Sequence, residues 1–153
     1  MMHCGLLGQK LSHSYSPAIH SMLGDYEYKL YETEPENVET FLRKGDFDAL
    51  NVTIPYKREV MALLDDLSHD ARLVGAVNCV RRTADSRLVG HNTDVIGLRA
   101  AFDCLLGGEQ PSHALVLGTG GASQAVQYVL AERGIPVSYT HLRAHETGRN
   151  LVC

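Results

Sequence analysis

A proline fixes the first boundary in this chain. In Asn51-Val52-Thr53-Ile54-Pro55-Tyr56-Lys57 an apolar strand pattern carries two polar side chains. Pro55 has no backbone N–H to donate, so it ends any ladder that the strand forms. A strand aims Asn51 and Thr53 at one face and Val52 and Ile54 at the other. From Lys57 to Leu64 the apolar residues fall at helical spacing, which predicts a helix and puts Lys57 near a strand-to-helix junction. Ligands of parallel α/β sheets bind at the carboxyl edge of the strands, so this stretch is the expected substrate edge.

The residues before it alternate in the same way. Met2 to Gly8 reads as a short buried strand opening into a hydroxyl-rich loop that ends at Pro17. Pro17 starts a helix, with Ser16 as its N-cap and Ala18, Ile19, Met22 and Leu23 as its apolar face. Serines at 12, 14 and 16 beside that helix end could equally form a carboxylate site, because hydroxyls and orphan amides both donate to an anion. Tyr26 to Tyr31 predicts a second strand, Glu34 to Leu42 a helix with an acidic first turn, and Gly45 to Asp48 the turn into the strand of Asn51. Strand and helix thus alternate three times, which predicts a largely parallel α/β sheet.

Beyond Leu67, Ser68 to Gly75 reads as a short helical turn and Ala76 to Val80 as a buried strand. Asn78 within that run is either a structural hydrogen-bond node or a ligand contact. Arg81-Arg82, the basic doublet, reads as part of a solvated turn with Thr83 to Ser86. Leu88 to Asp94 is the next strand, followed by a helix from Val95 to Phe102 for which Asp94 has the position of an N-cap. Gly107 to Ser112 is the clearest linker. It leads to a strand at Leu115, a loop Gly118-Thr119-Gly120-Gly121-Ala122-Ser123, a helix from Gln124 to Arg133 and a strand over Gly134 to Tyr139. A glycine loop between strand and helix lets backbone approach a pyrophosphate and aims helix N–H groups at it.

Composition excludes several classes of partner. With 153 residues, 44% of them apolar and 21% charged, the chain can bury a core, and a net charge of -4 without a basic block gives no attraction for nucleic acid or an anionic membrane. Cys4, Cys79, Cys104 and Cys153 share no Cys-x-x-Cys spacing, and the apolar runs are too short to span a bilayer, so a reduced cytoplasmic setting is expected. No metal is expected either: His141 and His145 are spaced as a helical pair but lack a third ligand, and His91 and His113 border strands.

Five segments in order resemble shikimate dehydrogenases: Ser14-Tyr15-Ser16-Pro17, Asn51 to Lys57, Gly75-Ala76-Val77-Asn78, Asn92-Thr93-Asp94, and Gly118 to Ser123. The resemblance runs from about Met2 to Val137. It implies a mostly parallel, three-layer α/β substrate domain over residues 1–106. The opening strand–helix–strand of a truncated Rossmann domain for NADP then covers 107–137. It implies reduction of 3-dehydroshikimate to shikimate in aromatic amino-acid biosynthesis. Ser14 and Ser16 would hold the substrate carboxylate, and Asn51, Thr53, Asn78 and Asp94 the ring hydroxyls. Lys57 and Asp94 would be the catalytic pair, and Gly118, Gly120, Gly121, Ala122 and Ser123 would contact NADP. Val95 departs from the family pattern, which has glycine after the aspartate.

The resemblance ends near residue 138. A doubly wound dinucleotide domain needs two βαβαβ halves, more than the residues after Leu115 supply. The segment from Ser138 to Asn150 lacks the family's 2′-phosphate pattern, and residues 138–153 read as the foreign ending of an interrupted frame. A non-catalytic hydroxy-acid-binding module unable to hold NADP, and a quinate/shikimate dehydrogenase, are the alternatives. Oligomeric state stays open.

Overall fold

The structure is a computed structural model that describes residues 1–118 and 120–140. The chain divides into two compact units, Met1–Thr93 and Asp94–Cys153. In the first, strands β1 (His3–Gly8), β2 (Glu27–Glu32), β3 (Ala49–Val52), β4 (Asp66–Leu67), β5 (Cys79–Arg82) and β6 (Leu88–His91) form one sheet in the order β2-β1-β3-β5-β6-β4. Only β5 runs against its neighbours, so the sheet is mixed but mostly parallel, as the alternation predicts. Helices α1 (Ser16–Leu23), α2 (Val38–Lys44) and α3 (His69–Val74) accompany it.

The two faces of this sheet do different work. Leu7, Leu50, Val52, Val80 and Leu88 pack into one buried core with Val38 and Leu42 of α2, with Ala71 of α3, and with Val60. The other face carries Cys4, Leu6, Tyr28, Asn51 and Cys79, matched across the register of β1, β2, β3 and β5. Close backbone approach explains Gly5. A Cβ there would lie 2.5 Å from the Lys29 carbonyl oxygen and 2.3 Å from the Tyr31 ring.

Several expectations are corrected. No α-helix forms from Lys57 to Leu64; a 3-10 turn covers Glu59–Leu63 instead. The reason is a spent acceptor: the Lys57 carbonyl takes the Val77 N–H at 2.7 Å, and Met61 N–H turns to Arg58 at 3.3 Å. The strand stops at Val52, which leaves Ile54 78% exposed and not in the core beside Val52. Likewise α1 buries none of its residues; Ile19, Met22 and Leu23 face outward. The predicted helix 34–42 splits into a 3-10 turn at Pro35–Asn37 and α2.

Arg82 is the clearest misreading. It belongs to β5 and not to a solvated turn, and its guanidinium donates to the carbonyls of Leu42 (2.9 Å), Gly45 (3.2 Å) and Phe47 (3.1 Å) while lying 4.4 Å from the Phe47 ring centroid. It thereby satisfies carbonyls at the end of α2 that the helix itself leaves without partners. The turn begins one residue later, at Thr83, and closes through Thr83 N–H to the Arg87 carbonyl.

The second unit holds α4 (Asp94–Leu106), β7 (Ala114–Leu117), α5 (Gly121–Glu132) and β8 (Val137–Thr140). β7 and β8 pair in parallel on either side of α5 in sequence, and Val116, Leu130 and Ile135 form its core with Phe102, Leu106 and Val126. Arg99 of α4 grips Glu132 of α5 through two hydrogen bonds, 2.7 and 2.9 Å. By contact α4 groups with this unit, whereas the sequence expectation placed residues 94–106 with the substrate domain. The departure of the chain beyond residue 140 from the family pattern, with His141 and His145, lies outside the described residues.

Candidate functional site

Strand direction gathers the motif residues of the first unit at one edge. β1, β3 and β6 end there, and β5, being antiparallel, begins there. That edge therefore receives the loop after Gly8, the turn after Val52, the residues 76–78 before β5, and Asn92-Thr93 after β6. It is the carboxyl edge of the parallel strands, where α/β sheets bind ligands.

The serine loop is pinned from below. Leu11 is buried and its N–H donates to Glu32 Oε1 at 2.6 Å, while Ser14 N–H returns to the Leu11 carbonyl at 2.9 Å. Gly8 makes room for this: a Cβ there would lie 2.6 Å from Leu11 Cδ2 and 2.7 Å from Thr53 Cγ2. Ser16 is not the N-cap but the first residue of α1, and the cap position falls to Tyr15 without a side-chain bond. Ser14 does the related work, since its Oγ accepts the Ser16 N–H at 3.2 Å. Between these residues opens a cavity of about 570 Å³ lined by Leu6, Lys10, Ser12, His13, Ser14, Ser16 and Thr53 among others. Hydroxyls, a lysine and a histidine at a helix start make it suited to an anion.

The stretch after β3 is anchored through its backbone and one aromatic. Thr53 N–H extends the ladder to the Leu7 carbonyl at 2.9 Å, and Tyr56 N–H closes a turn on the Thr53 carbonyl at 3.0 Å. The Ile54–Pro55 peptide is cis. Tyr56 is fully buried, its hydroxyl donates to the Thr33 carbonyl at 2.5 Å, and burial raises its pKa. Lys57 follows directly on this anchor, half-buried, its carbonyl tied to Val77.

Asn78 proves to be a hydrogen-bond node. Its Oδ1 accepts the Thr93 N–H at 2.7 Å, and its Nδ2 lies 3.0 Å from Thr93 Oγ1. Its neighbour in kind, Asn92, donates to the Ala76 carbonyl at 2.9 Å from a buried position. The two amides lock residues 76–78 to residues 92–93, which fixes the chain immediately before Asp94. Asp94 itself opens the second unit as the first residue of α4, where the helix dipole favours a carboxylate.

Sequence reasoning missed Tyr28. On β2, it donates to Asn51 Oδ1 at 2.8 Å and stacks on His20 of α1 at 3.7 Å between ring centroids. Burial pushes its hydroxyl up to about 12, against the opposing pull of the neighbouring Ser16 side chain. Alternation within Glu27–Glu32 puts Tyr28 and Leu30 on one face, but only the register of β2 on β1 shows that this is the face of Leu6 and Asn51. Lys10 and His13 at the cavity were missed too.

In the second unit, Gly118 has φ +101° and Gly120 stands as the extended residue before α5. A Cβ at either position would meet nothing within 4 Å, so the backbone there is open to a ligand. Gly118 thus follows β7 and Gly120 precedes α5, a strand-to-helix junction of the kind at which a pyrophosphate can meet helix N–H groups. Ser123 Oγ donates back to the Gly120 carbonyl at 2.8 Å. Among the described residues no cluster of three or more His, Cys, Asp or Glu is placed to hold a metal, and Cys4, Cys79 and Cys104 are free thiols.

Residues 6–80 match the family model for the shikimate dehydrogenase substrate binding domain. Those residues belong to this family. Among relatives, the NADP(+) shikimate dehydrogenase of Clostridium beijerinckii is 40% identical over 147 residues, covering 88% of this chain and 53% of the relative. A crystal structure of shikimate dehydrogenase 1 from Peptoclostridium difficile superposes with a TM-score of 0.83 at 35% identity, over 91% of this chain and 56% of that one. A shikimate 5-dehydrogenase from Thermus thermophilus, in complex with NADP(H) and shikimate, gives 0.78 at 36% identity, over 91% and 55%. The chain thus spans about half the length of the shikimate dehydrogenases it matches.

Proposed function

We propose that this protein is the substrate-holding part, with the start of the cofactor part, of a cytoplasmic NADP-dependent enzyme that reduces 3-dehydroshikimate to shikimate. The observation that carries this is the convergence of Ser14, Ser16, Asn51, Thr53 and Asn78 on one sheet edge in a chain similar to a shikimate-bound dehydrogenase. Ser14 and Ser16, at the cavity beside α1, hold the substrate carboxylate, with Lys10 and His13 adding positive or donor character. Asn51, Thr53, Asn78 and Asp94 receive the ring hydroxyls. This functional division assigns residues 1–106 to the substrate and 107–137 to the cofactor, with Asp94 serving the substrate although α4 packs with the later residues.

Lys57 has the chemistry the reduction requires. A carbonyl gaining electron density at oxygen needs a proton and a nearby positive charge, and an ammonium group supplies both. Asp94 pairs with it in the catalytic role, orienting the ammonium and tuning its acidity. Gly118, Gly120, Gly121, Ala122 and Ser123 hold the dinucleotide through backbone N–H groups at the start of α5. NADPH, when bound, supplies the hydride. The net charge of -4 supports a small-molecule partner over nucleic acid or membrane, and no helix among the described residues is long and apolar enough to cross a bilayer.

A second reading, carried by the match of residues 6–80 to a substrate binding domain, is that the site binds a hydroxy acid without turnover. Titration with shikimate and with NADPH, followed by an assay for shikimate-dependent NADP reduction, separates the two. Binding of both ligands with turnover supports the dehydrogenase; shikimate binding alone supports the binding module; no binding of shikimate contradicts both.

A further inference from the structure

The Asn51 side chain has an acceptor end and a donor end, and the protein holds the acceptor end in a way that decides what the other offers. Tyr28 lies one strand beyond β1 on the same face, its hydroxyl donating to Asn51 Oδ1 at 2.8 Å. Its ring is clamped by His20 at 3.7 Å and an interplanar angle of 13°, and His20 Nδ1 is held in turn 2.6 Å from the Tyr26 hydroxyl. A phenol kept neutral by burial always has a proton to donate, so the bond to Asn51 persists across ordinary pH.

We propose that Tyr28 is a positioning residue of the substrate site: by occupying Oδ1 it fixes the Asn51 amide with Nδ2–H2 as the end presented to a substrate hydroxyl. The proposal rests on the assignment of Asn51 to the substrate made above. Without the phenol hydroxyl the amide is free to turn over and present either an acceptor or a donor, since its two ends have nearly the same shape. Tyr28 touches no substrate atom in this scheme. It acts through Asn51.

Tyr28→Phe keeps the ring on His20 and deletes only the hydroxyl. The expected results are a shikimate affinity about fivefold weaker, as loss of one buried hydrogen bond gives, and no further loss when the same change is made in an Asn51→Ala background. In ligand-free 15N spectra the Asn51 side-chain amide pair should move or broaden in Tyr28→Phe at an unchanged thermal midpoint. Asn51→Asp retains an acceptor for Tyr28 and removes the donor end, so it should bind shikimate as weakly as Asn51→Ala; this arm decides the matter even if Tyr28→Phe fails to fold. An unmoved Asn51 amide pair, additive losses in the double variant, or wild-type affinity in Asn51→Asp would each overturn the proposal. Failure of the unaltered chain to bind shikimate defeats the site assignment instead, and the ligand-free Asn51 signals then still decide whether Tyr28 orients the amide.

Discussion

Lys57 is placed by its backbone and by the residue before it, and not by a helix. Tyr56 is sunk into the core with its hydroxyl on the Thr33 carbonyl, and the Lys57 carbonyl is fixed to Val77. Replacing the Lys57 side chain therefore leaves the anchors intact. In a protein extended to the full length of its relatives, Lys57→Ala should lower kcat by about 100-fold or more with little change in shikimate affinity, because a proton donor acts chiefly in the transition state. Equal losses in kcat and affinity would show a binding role only. Asp65 offers a pH test at the same scale. The Leu88 N–H, at 2.7 Å, and then Arg43 hold its carboxyl below the ordinary carboxylate range. A folded-state pKa lowered in this way contributes stability above the unfolded value, near 4, that is lost as pH falls through the folded value. Thermal midpoints of the wild type and Asp65→Asn should accordingly differ by a constant amount above about pH 5 and converge below about pH 4; a gap that widens in acid would contradict this.

Among the elements, β5 and α2 depend on one side chain. Arg82 reaches from the strand to three carbonyls around the end of the helix, a geometry that a lysine ammonium cannot reproduce from one point. Arg82→Lys should cost about 1–2 kcal/mol in chemical denaturation, and an unchanged midpoint would remove Arg82 from the account of this corner. Such a role was invisible in sequence, where Arg81-Arg82 before a turn looks solvated. The strands β1, β2, β3 and β6 and the helical turn over Ser68 to Gly75 were legible because they depend on local pattern, and Ser68 Oγ accepting from Ala71 with Gly75 at φ +70° closes that turn at both ends. The strand expected over Ala76 to Val80 begins only at Cys79, and β4 was not foreseen. The 3-10 turn after Lys57 and the outward face of α1 were not legible, because distant partners decide them. Ile19 and Met22 have helical spacing but nothing over them in their own unit, and the helix expected after Lys57 loses its acceptor to Val77. At the site, Asn51 and Thr53 were legible from alternation, while Tyr28 required the register of β2 on β1 to be known.

For the whole molecule, the division at Thr93 separates a six-stranded sheet from a unit of α4 and a strand–helix–strand with a glycine loop. Residues 6–80, the part that matches the substrate binding domain, lie wholly in the first unit, with the serine loop and the Asn51 stretch inside them. The proposed substrate recognition falls to the serine cavity of this unit. Calorimetric titration of the purified chain with shikimate, beside a Ser14→Ala/Ser16→Ala variant of equal thermal midpoint, tests it most directly. The account predicts saturable binding at one site per chain, weakened about tenfold or more when the two hydroxyls are removed. Absence of binding by the wild type, or equal affinity in the double variant, would contradict it.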